Sequence, residues 1–187
     1  MTQSASSTMD SDPTRSPSDV HPQPAQSGAQ DGFVAAMRQA ASGVTVVTAT
    51  DKGKRWGVTV SAMTSVSAEP PLLLVCINAR SPVCAAIESA GAFCVNILAE
   101  NQHAVSDVFA GRIATESGER FDCGRWRDGA TGAPGLEDSA ARFHCKLEAC
   151  HHHGSHRIFI GRVVEAEAGE TRPLLYCDRS YGRVALH

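Results

Sequence analysis

"GVTVSAMTSVSAEPPLLLVCIN", residues 57–78, begins as a strand and ends as one, but between the two it carries small and hydroxyl side chains. Thr59, Ser61, Ala62, Thr64, Ser65, Ser67 and Ala68 stand where a core-filling strand would place branched or aromatic bulk. Each large apolar side chain that is buried stabilises a fold by about 1.5–3 kcal/mol, so the stretch forgoes packing energy. Two readings remain open. It is a tightly packed strand corner, or it is a wall of small residues that lets a planar ligand approach backbone N–H groups and hydroxyls closely.

The flanks decide the fold class. Upstream, "VTVVTAT" (44–50), "DKGK" (51–54) and "RWGVTVS" (55–61) read as a β-hairpin. Downstream, the continuous apolarity of "LLLVCIN" (72–78) predicts a fully buried strand. Ser81 before Pro82 is the order of an N-cap and a first helical residue, and Val83, Ala86, Ile87 and Ala90 give a short helix one apolar face before Gly91. "AFCVNIL" (92–98) is a further strand, Val105, Val108 and Phe109 mark a helix closing at Gly111, and residues 112–135 read as a long aperiodic loop. Phe143, Cys145, Leu147 and Ala149 alternate with His144, Lys146 and Glu148, which predicts a strand with one buried and one wet face. "RIFIGRVVEAEA" (157–168) and "PLLYCD" (173–178) add two more strands. Many short strands with a few interleaved helices, in no βαβ order, predict a mainly β protein built as an antiparallel barrel.

Residues 1–30 hold almost no branched apolar side chains and are expected to be a disordered tail, leaving residues 31–187 as one domain. Phe33, Met37, Ala40 and Ala41 recur at helical spacing, predicting a first helix over 31–41 with Gly43 as a left-handed cap. The 17 basic and 20 acidic residues are spread without runs, for a net charge of −3, which argues against a nucleic-acid or anionic membrane partner. No apolar run approaches the ~20 residues of a membrane helix. The N-terminus lacks the order of a secretory signal, so a cytoplasmic location is expected. Seven cysteines, an odd number lying mostly in apolar stretches, read as reduced thiols. Cys145-x4-Cys150 followed by His151, His152 and His153 has the composition of a zinc site, but no second close pair completes it. A small Cys/His zinc barrel is therefore a rival reading; no metal is expected, and the three histidines are read as a polar loop.

Signatures for a G-x-S-x-G nucleophile, an H-E-x-x-H metal site, a P-loop and a post-strand G-x-G-x-x-G are all absent. "NARSPV" (78–83) sets Asn78, Arg80 and Ser81 where a strand runs into a helix N-terminus, whose free N–H groups and dipole attract anions. Ser81 as a cap and Arg80 as a solvated charge is the plainer alternative. Together with the wall upstream, the simplest ligand is planar at one end and phosphorylated at the other, and a flavin nucleotide has that form.

At this point the chain resembles the short-chain flavin reductases, which supply reduced flavin to two-component flavin-dependent monooxygenases. The resemblance spans Phe33 to Val184 and rests on "SGVTVVTA", the 57–78 stretch, "NARSPV", "FCVNIL" before "DVFAG", "ERF" (119–121), "GSHRIFIGRV" (154–163) and "PLLYCDRSYGRV" (173–184), in the family's order. It implies a split β-barrel binding FAD or FMN at a homodimer interface, reduced by NADH or NADPH. NADH is favoured because no arginine cluster awaits a 2′-phosphate. By the same resemblance, Trp56, Gly57, Val58, Thr59, Val60 and Ser61 run beside the isoalloxazine, while Asn78, Ala79, Arg80, Ser81, Pro82 and Val83 take the ribityl phosphate end. Phe109, Ala110, Gly111 and Arg112 close over the other side, and His156 lies where the nicotinamide stacks, with Tyr181, Gly182 and Arg183 nearby. The family usually has Asp where this chain has Ser155, so a carboxylate orienting the histidine is missing here. The implied partner is a monooxygenase acting on an aromatic, often phenolic, compound. The alternative from another class is a non-enzymatic flavin- or haem-binding barrel, which has no use for a nicotinamide seat.

Overall fold

The computed structural model describes residues 25–185. Helix α1 (Ala25–Met37) is a unit by itself, and a second unit starts at Arg38. The helix begins and ends earlier than the periodicity of Phe33, Met37, Ala40 and Ala41 predicts, and Phe33 and Met37 are exposed. Residues 1–24 of the expected tail lie outside the described residues.

The second unit opens with β1 (Ser42–Gly43) and the hairpin β2 (Thr45–Asp51) and β3 (Lys54–Val60). Lys52 and Gly53 turn it with φ of 49° and 76°, as a two-residue hairpin loop requires. β4 (Met63–Ala68) and β5 (Pro71–Asn78) follow, then α2 (Val83–Ala90), β6 (Ala92–Ile97), α3 (His103–Phe109), β7 (Trp126–Asp128) and β8 (Pro134–Leu136). The long strands β9 (Ala141–His153) and β10 (His156–Ala168) precede β11 (Leu175–Cys177) and β12 (Ser180–Gly182).

Seven strands form one antiparallel sheet in the order β3-β2-β6-β9-β10-β5-β4. Its two edge strands are consecutive in the chain, joined only by Ser61 and Ala62, so the sheet curls on itself into the expected split barrel. The Cys76 N–H donates to the Ala62 carbonyl at this corner, 2.9 Å away. Val47, Leu73, Val75, Ile77, Phe93, Val95 and Phe159 fill the barrel, and α2 joins this core through Val83, Cys84, Ala86 and Ile87. A second core on the outside of β2 holds Val44, Val46, Leu98, Val105, Val108, Phe109, Leu136 and Leu174. Both faces of β2 are therefore buried, which is why its sequence is rich in β-branched residues and has no wet face over Thr45 to Ala49.

Four local expectations change once tertiary pairing is considered. Gly43 is no left-handed cap: Ser42 and Gly43 pair with Tyr176 and Leu175 in a small sheet, β1-β11-β12, so strand pairing replaces a helix end. β5 is buried only on alternate residues, because the barrel lies to one side of it; Leu72, Leu74 and Cys76 are half-buried on the other. His151, His152 and His153 are the end of β9, paired with β10, and not a loop. The stretch 112–135 is not structureless either, since it contains β7 and enters β8, which pair as a hairpin. Among the described residues no helix is long and apolar enough to cross a membrane, and all seven cysteines are free thiols.

The β7–β8 hairpin and the turn between its strands sit on a row of polar side chains. Across the outer face of β2, β6, β9 and β10, Thr48 stands opposite Cys94, Cys94 opposite His144 and His144 opposite Glu165. One step along come Val46, Asn96, Arg142 and Glu167 in the same relation. The Leu136 N–H donates to Asn96 Oδ1 (2.7 Å), and Arg142 Nη1 donates to the Leu136 carbonyl (2.9 Å). Thr48 Oγ1 donates to the Pro134 carbonyl (2.5 Å), and Asn96 Nδ2 to that of Val46 (2.9 Å). Arg142 is ion-paired with Glu167, which Arg127 of β7 also reaches at 3.1 Å. Leaving any such buried group unpaired costs about 1–3 kcal/mol.

His144, expected on the wet face, is 4% exposed because this hairpin covers it. Its Nδ1 lies 3.1 Å from Thr131 Oγ1 and its Nε2 3.7 Å from Cys94 Sγ. Burial pushes the imidazole below its ordinary range, reinforced by Arg142 and Arg127 and opposed by Glu165. A depressed folded-state pKa adds stability that is complete above the unfolded value near 6.5 and is lost as pH falls through the folded value. Thermal melts from pH 8 to pH 5 should therefore fall below pH 6.5 more steeply for the wild type than for His144→Gln. In a chain of this size each kcal/mol moves Tm by about 2–4 °C. Parallel pH profiles for the two proteins would contradict the buried neutral imidazole.

Candidate functional site

Where β3 leaves the barrel, Thr59, Val60 and Ser61 face α3 and the β11–β12 hairpin across a cleft of about 170 Å³. Ser106, Ala110, Arg112, Tyr176 and Tyr181 line the opposite side. The Thr59 hydroxyl donates to the Ser106 carbonyl (2.8 Å), tying β3 to α3, while Ser61 is exposed. Ser61 also borders a more open hollow of about 400 Å³ lined by Gly43, Ala62, Met63, Thr64 and Leu74. The small residues of the 57–68 stretch thus border open space, and β4 is exposed along most of its length. Open space beside small side chains supports the wall reading over the packed corner.

A polar network closes the far side. Arg112 reaches Asp107 (3.1 Å), Tyr176 Oη (3.0 Å) and Tyr181 Oη (3.3 Å). Tyr181 Oη lies 2.6 Å from Asp107 Oδ1 and 2.9 Å from Ser106 Oγ. A phenol has one hydrogen; it goes to the carboxylate, and Ser106 and Arg112 donate to the phenolic oxygen. Burial, with Asp107 beside it, pushes the Tyr181 phenol up, and the hydrogen bonds that Arg112 donates to Tyr176 and Asp107 push its guanidinium up. The rim therefore keeps a fixed cation and a neutral phenol at working pH. Sequence reasoning missed Ser106, Asp107 and Tyr176. The available signal was the turn Asp178-Arg179, with φ of 44° and 63°, which pairs Tyr176 directly with Tyr181.

The remaining candidates form two further groups. Trp56 and Gly57 line a hollow of about 240 Å³ with Pro82, Val83, Arg120 and Phe121, and Lys54 Nζ stands 4.3 Å from the Trp56 ring. At the end of β5, Asn78 stands opposite His156 of β10. The Ala79 N–H donates to the Ser155 carbonyl (3.0 Å), and the Arg80 N–H to Asn78 Oδ1 (3.0 Å). Ser155 Oγ lies 2.9 Å from His156 Nδ1, so a hydroxyl stands beside the ring in place of the carboxylate that the resemblance implies. Ser81 is not a side-chain cap: Pro82 holds the N-cap position, and the Cys84 N–H goes to the Ser81 carbonyl (3.1 Å), leaving the half-buried hydroxyl of Ser81 uncommitted to the helix.

His156 lines none of the hollows that Tyr181 lines; it belongs with Asn78. Arg183 is exposed and reaches Glu100 at 4.0 Å, Gly182 is exposed opposite Leu175, and Gly111 turns the chain with φ of 73°. Val58 packs against the barrel core, Val83 is buried in it, and Phe109 is 1% exposed, so Phe109 supports the wall from behind. The support is direct: a Cβ on Gly57 would stand 2.5 Å from Phe109 Cε1.

Residues 37–185 match the family described as flavin reductase like domain. The chain is 40% identical over 151 residues to FMN reductase (NADH) RutF of Variovorax paradoxus, covering 80% of this chain and 83% of that protein. It is 41% identical over 160 residues to the reductase component of the FADH(2)-dependent resorcinol hydroxylase of Rhizobium sp., covering 84% and 88%. Among solved structures, the NADH:FAD oxidoreductase SgcE6 of Streptomyces globisporus, in complex with NAD and FAD fragments, superposes with a TM-score of 0.76 at 27% identity, covering 84% and 94%.

Gly57→Ala should force β3 and Phe109 apart, and overpacking of this kind costs about 1–3 kcal/mol. Its melting temperature should drop by several degrees. Gly43→Ala, which meets nothing within 4 Å, should melt as the wild type does. Equal melting of all three would contradict the contact.

Proposed function

The chain belongs to the flavin reductase-like family, and from that premise we propose that the cleft between β3 and α3 receives a flavin ring, with the Asn78–Ser81 step at its phosphate end. The protein is an NADH-dependent flavin reductase acting on FMN or FAD, of the kind that supplies reduced flavin to partner oxygenases. The observation that carries the site assignment is the cleft where exposed Ser61 and half-buried Thr59, beside the buried Val60, face a fixed cation at Arg112.

The residues fit the group. Val44, Val60 and the Tyr181 ring give an apolar floor, and the β3 backbone with Ser61 gives a hydrogen-bonding edge; planar cofactors with polar rims are held in such sites. Bound flavin supplies the hydride acceptor, so the protein needs no nucleophile of its own. Its residues orient the two rings and exclude water, and holding reactants in contact is worth ~7–11 kcal/mol in the best cases. His156, held at Nδ1 by Ser155, keeps Nε2 for the nicotinamide. No candidate residue is assigned to an adenine, so the seat reads the part common to FMN and FAD and accepts both.

Two finer readings follow. The chain works as a homodimer: the half-buried outer row of Leu72, Leu74, Cys76, Ile158 and Ile160, beside exposed Val66, is apolar surface suited to a second copy. Such a copy would account for a site whose candidates fall into separate groups on one chain. The partner oxygenase acts on an aromatic, phenolic compound, a reading supported by the resorcinol hydroxylase reductase component at 41% identity.

His156→Ala should slow flavin reduction by NADH, or raise the KM for NADH, while flavin affinity stays near wild type. Each tenfold loss corresponds to ~1.4 kcal/mol. Stopped-flow reduction at saturating flavin measures it. Identical rates and identical NADH dependence would remove His156 from the site.

A further inference from the structure

β9 and β10 meet in the two-residue turn Gly154-Ser155, which sets His153 directly opposite His156. Directly opposed residues of an antiparallel pair leave the sheet on one face with Cβ atoms about 4.5–5.5 Å apart. Alternate residues along a strand share a face, so His151 stands on the same side, opposite Ile158, while His152 leaves on the other. Three exposed imidazoles therefore crowd one face of one hairpin tip, at the outer end of the face that carries the Ile158 and Ile160 row proposed above to meet a second copy. In a loop they would have no common face; the strand pairing creates it. The contact between Ser155 Oγ and His156 Nδ1 occupies one nitrogen of that ring and leaves Nε2 as the second donor atom. Metal-bound imidazoles have their second nitrogen held in this way.

We propose that His153 and His156, with His151 as a third ligand, form a surface site for a borderline transition-metal cation of the zinc class. Neutral imidazole nitrogen suits such ions, at about 2.0–2.1 Å. Among the described residues no three His, Cys, Asp or Glu side chains already converge on one point. The exposed rings turn to meet the ion, and water fills the other positions. The site is thus exchangeable, and the fold does not depend on it. Because His156 belongs to the proposed nicotinamide seat, an ion on its Nε2 withdraws it from NADH; this consequence rests on the reading above, whereas binding at the hairpin does not.

The test uses the full-length chain without an affinity tag. Zinc chloride titrated into it by calorimetry should show saturable binding, weakened about tenfold or more (~1.4 kcal/mol) in the double variant His151→Asn, His153→Asn. That variant should oxidise NADH like the wild type when zinc is absent. Zinc should inhibit the wild type, and a chelator should restore it. Absence of zinc binding to the wild type, or equal affinity in the two proteins, overturns the site. Histidine-dependent binding that leaves the rate of NADH oxidation untouched upholds the site and instead contradicts the role given to His156.

Discussion

The ring of Phe109 lies so close to the backbone of Gly57 that no other residue fits there without displacement, and this contact links the barrel to everything outside it. Phe109 ends α3, whose Ser106 carbonyl takes the Thr59 hydroxyl. Its ring meets Phe121 at 5.1 Å and Trp126 at 5.3 Å, and these meet each other at 5.1 Å, all tilted or edge-on. Such pairs add about 0.5–1.5 kcal/mol each beyond their buried area. The aromatic triangle in turn depends on the β7–β8 hairpin, which Thr48, Asn96 and Arg142 fasten to the sheet by hydrogen bonds to its backbone. The position of the Thr59–Ser61 wall is thus the last link of a chain that starts with polar groups on the far side of β2.

Much of this was legible in the sequence where local rules and tertiary structure agree. The 44–61 hairpin, the strand at 92–98 and the helix before Gly111 follow from alternation, turn residues and helical spacing, with no long-range partner needed to choose between them. The wall itself was legible as an absence of bulk, although only the cleft distinguishes it from a packed corner. The failures share a cause. His144 alternates as a solvent-facing residue and is buried by the separate β7–β8 hairpin; Gly43 resembles a cap and is claimed by β11; Ser81 resembles an N-cap but stops one residue short. Each was decided by a segment that a local pattern does not contain.

The candidate residues illustrate the same limit. The resemblance assigns them all to one flavin and its nicotinamide partner at a homodimer interface, and the folded chain distributes them among the cleft, the Trp56 hollow and the Asn78–His156 corner. Electrostatics separates the groups further. Arg112 is held by a carboxylate and two phenols and serves as a fixed charge, while His156 is held only by a hydroxyl and remains available.

On the function proposed above, the cleft at residues 59–61 is where flavin accepts reducing equivalents from NADH. The most direct measurement is NADH consumption by flavin-stripped protein, with and without added FAD or FMN, in the wild type and in Ser61→Trp. Turnover is expected only when flavin is present. The bulky indole is expected to abolish turnover and flavin binding while far-ultraviolet circular dichroism stays unchanged. Equal NADH consumption without flavin, or full flavin affinity and turnover in the folded Ser61→Trp protein, would contradict that function.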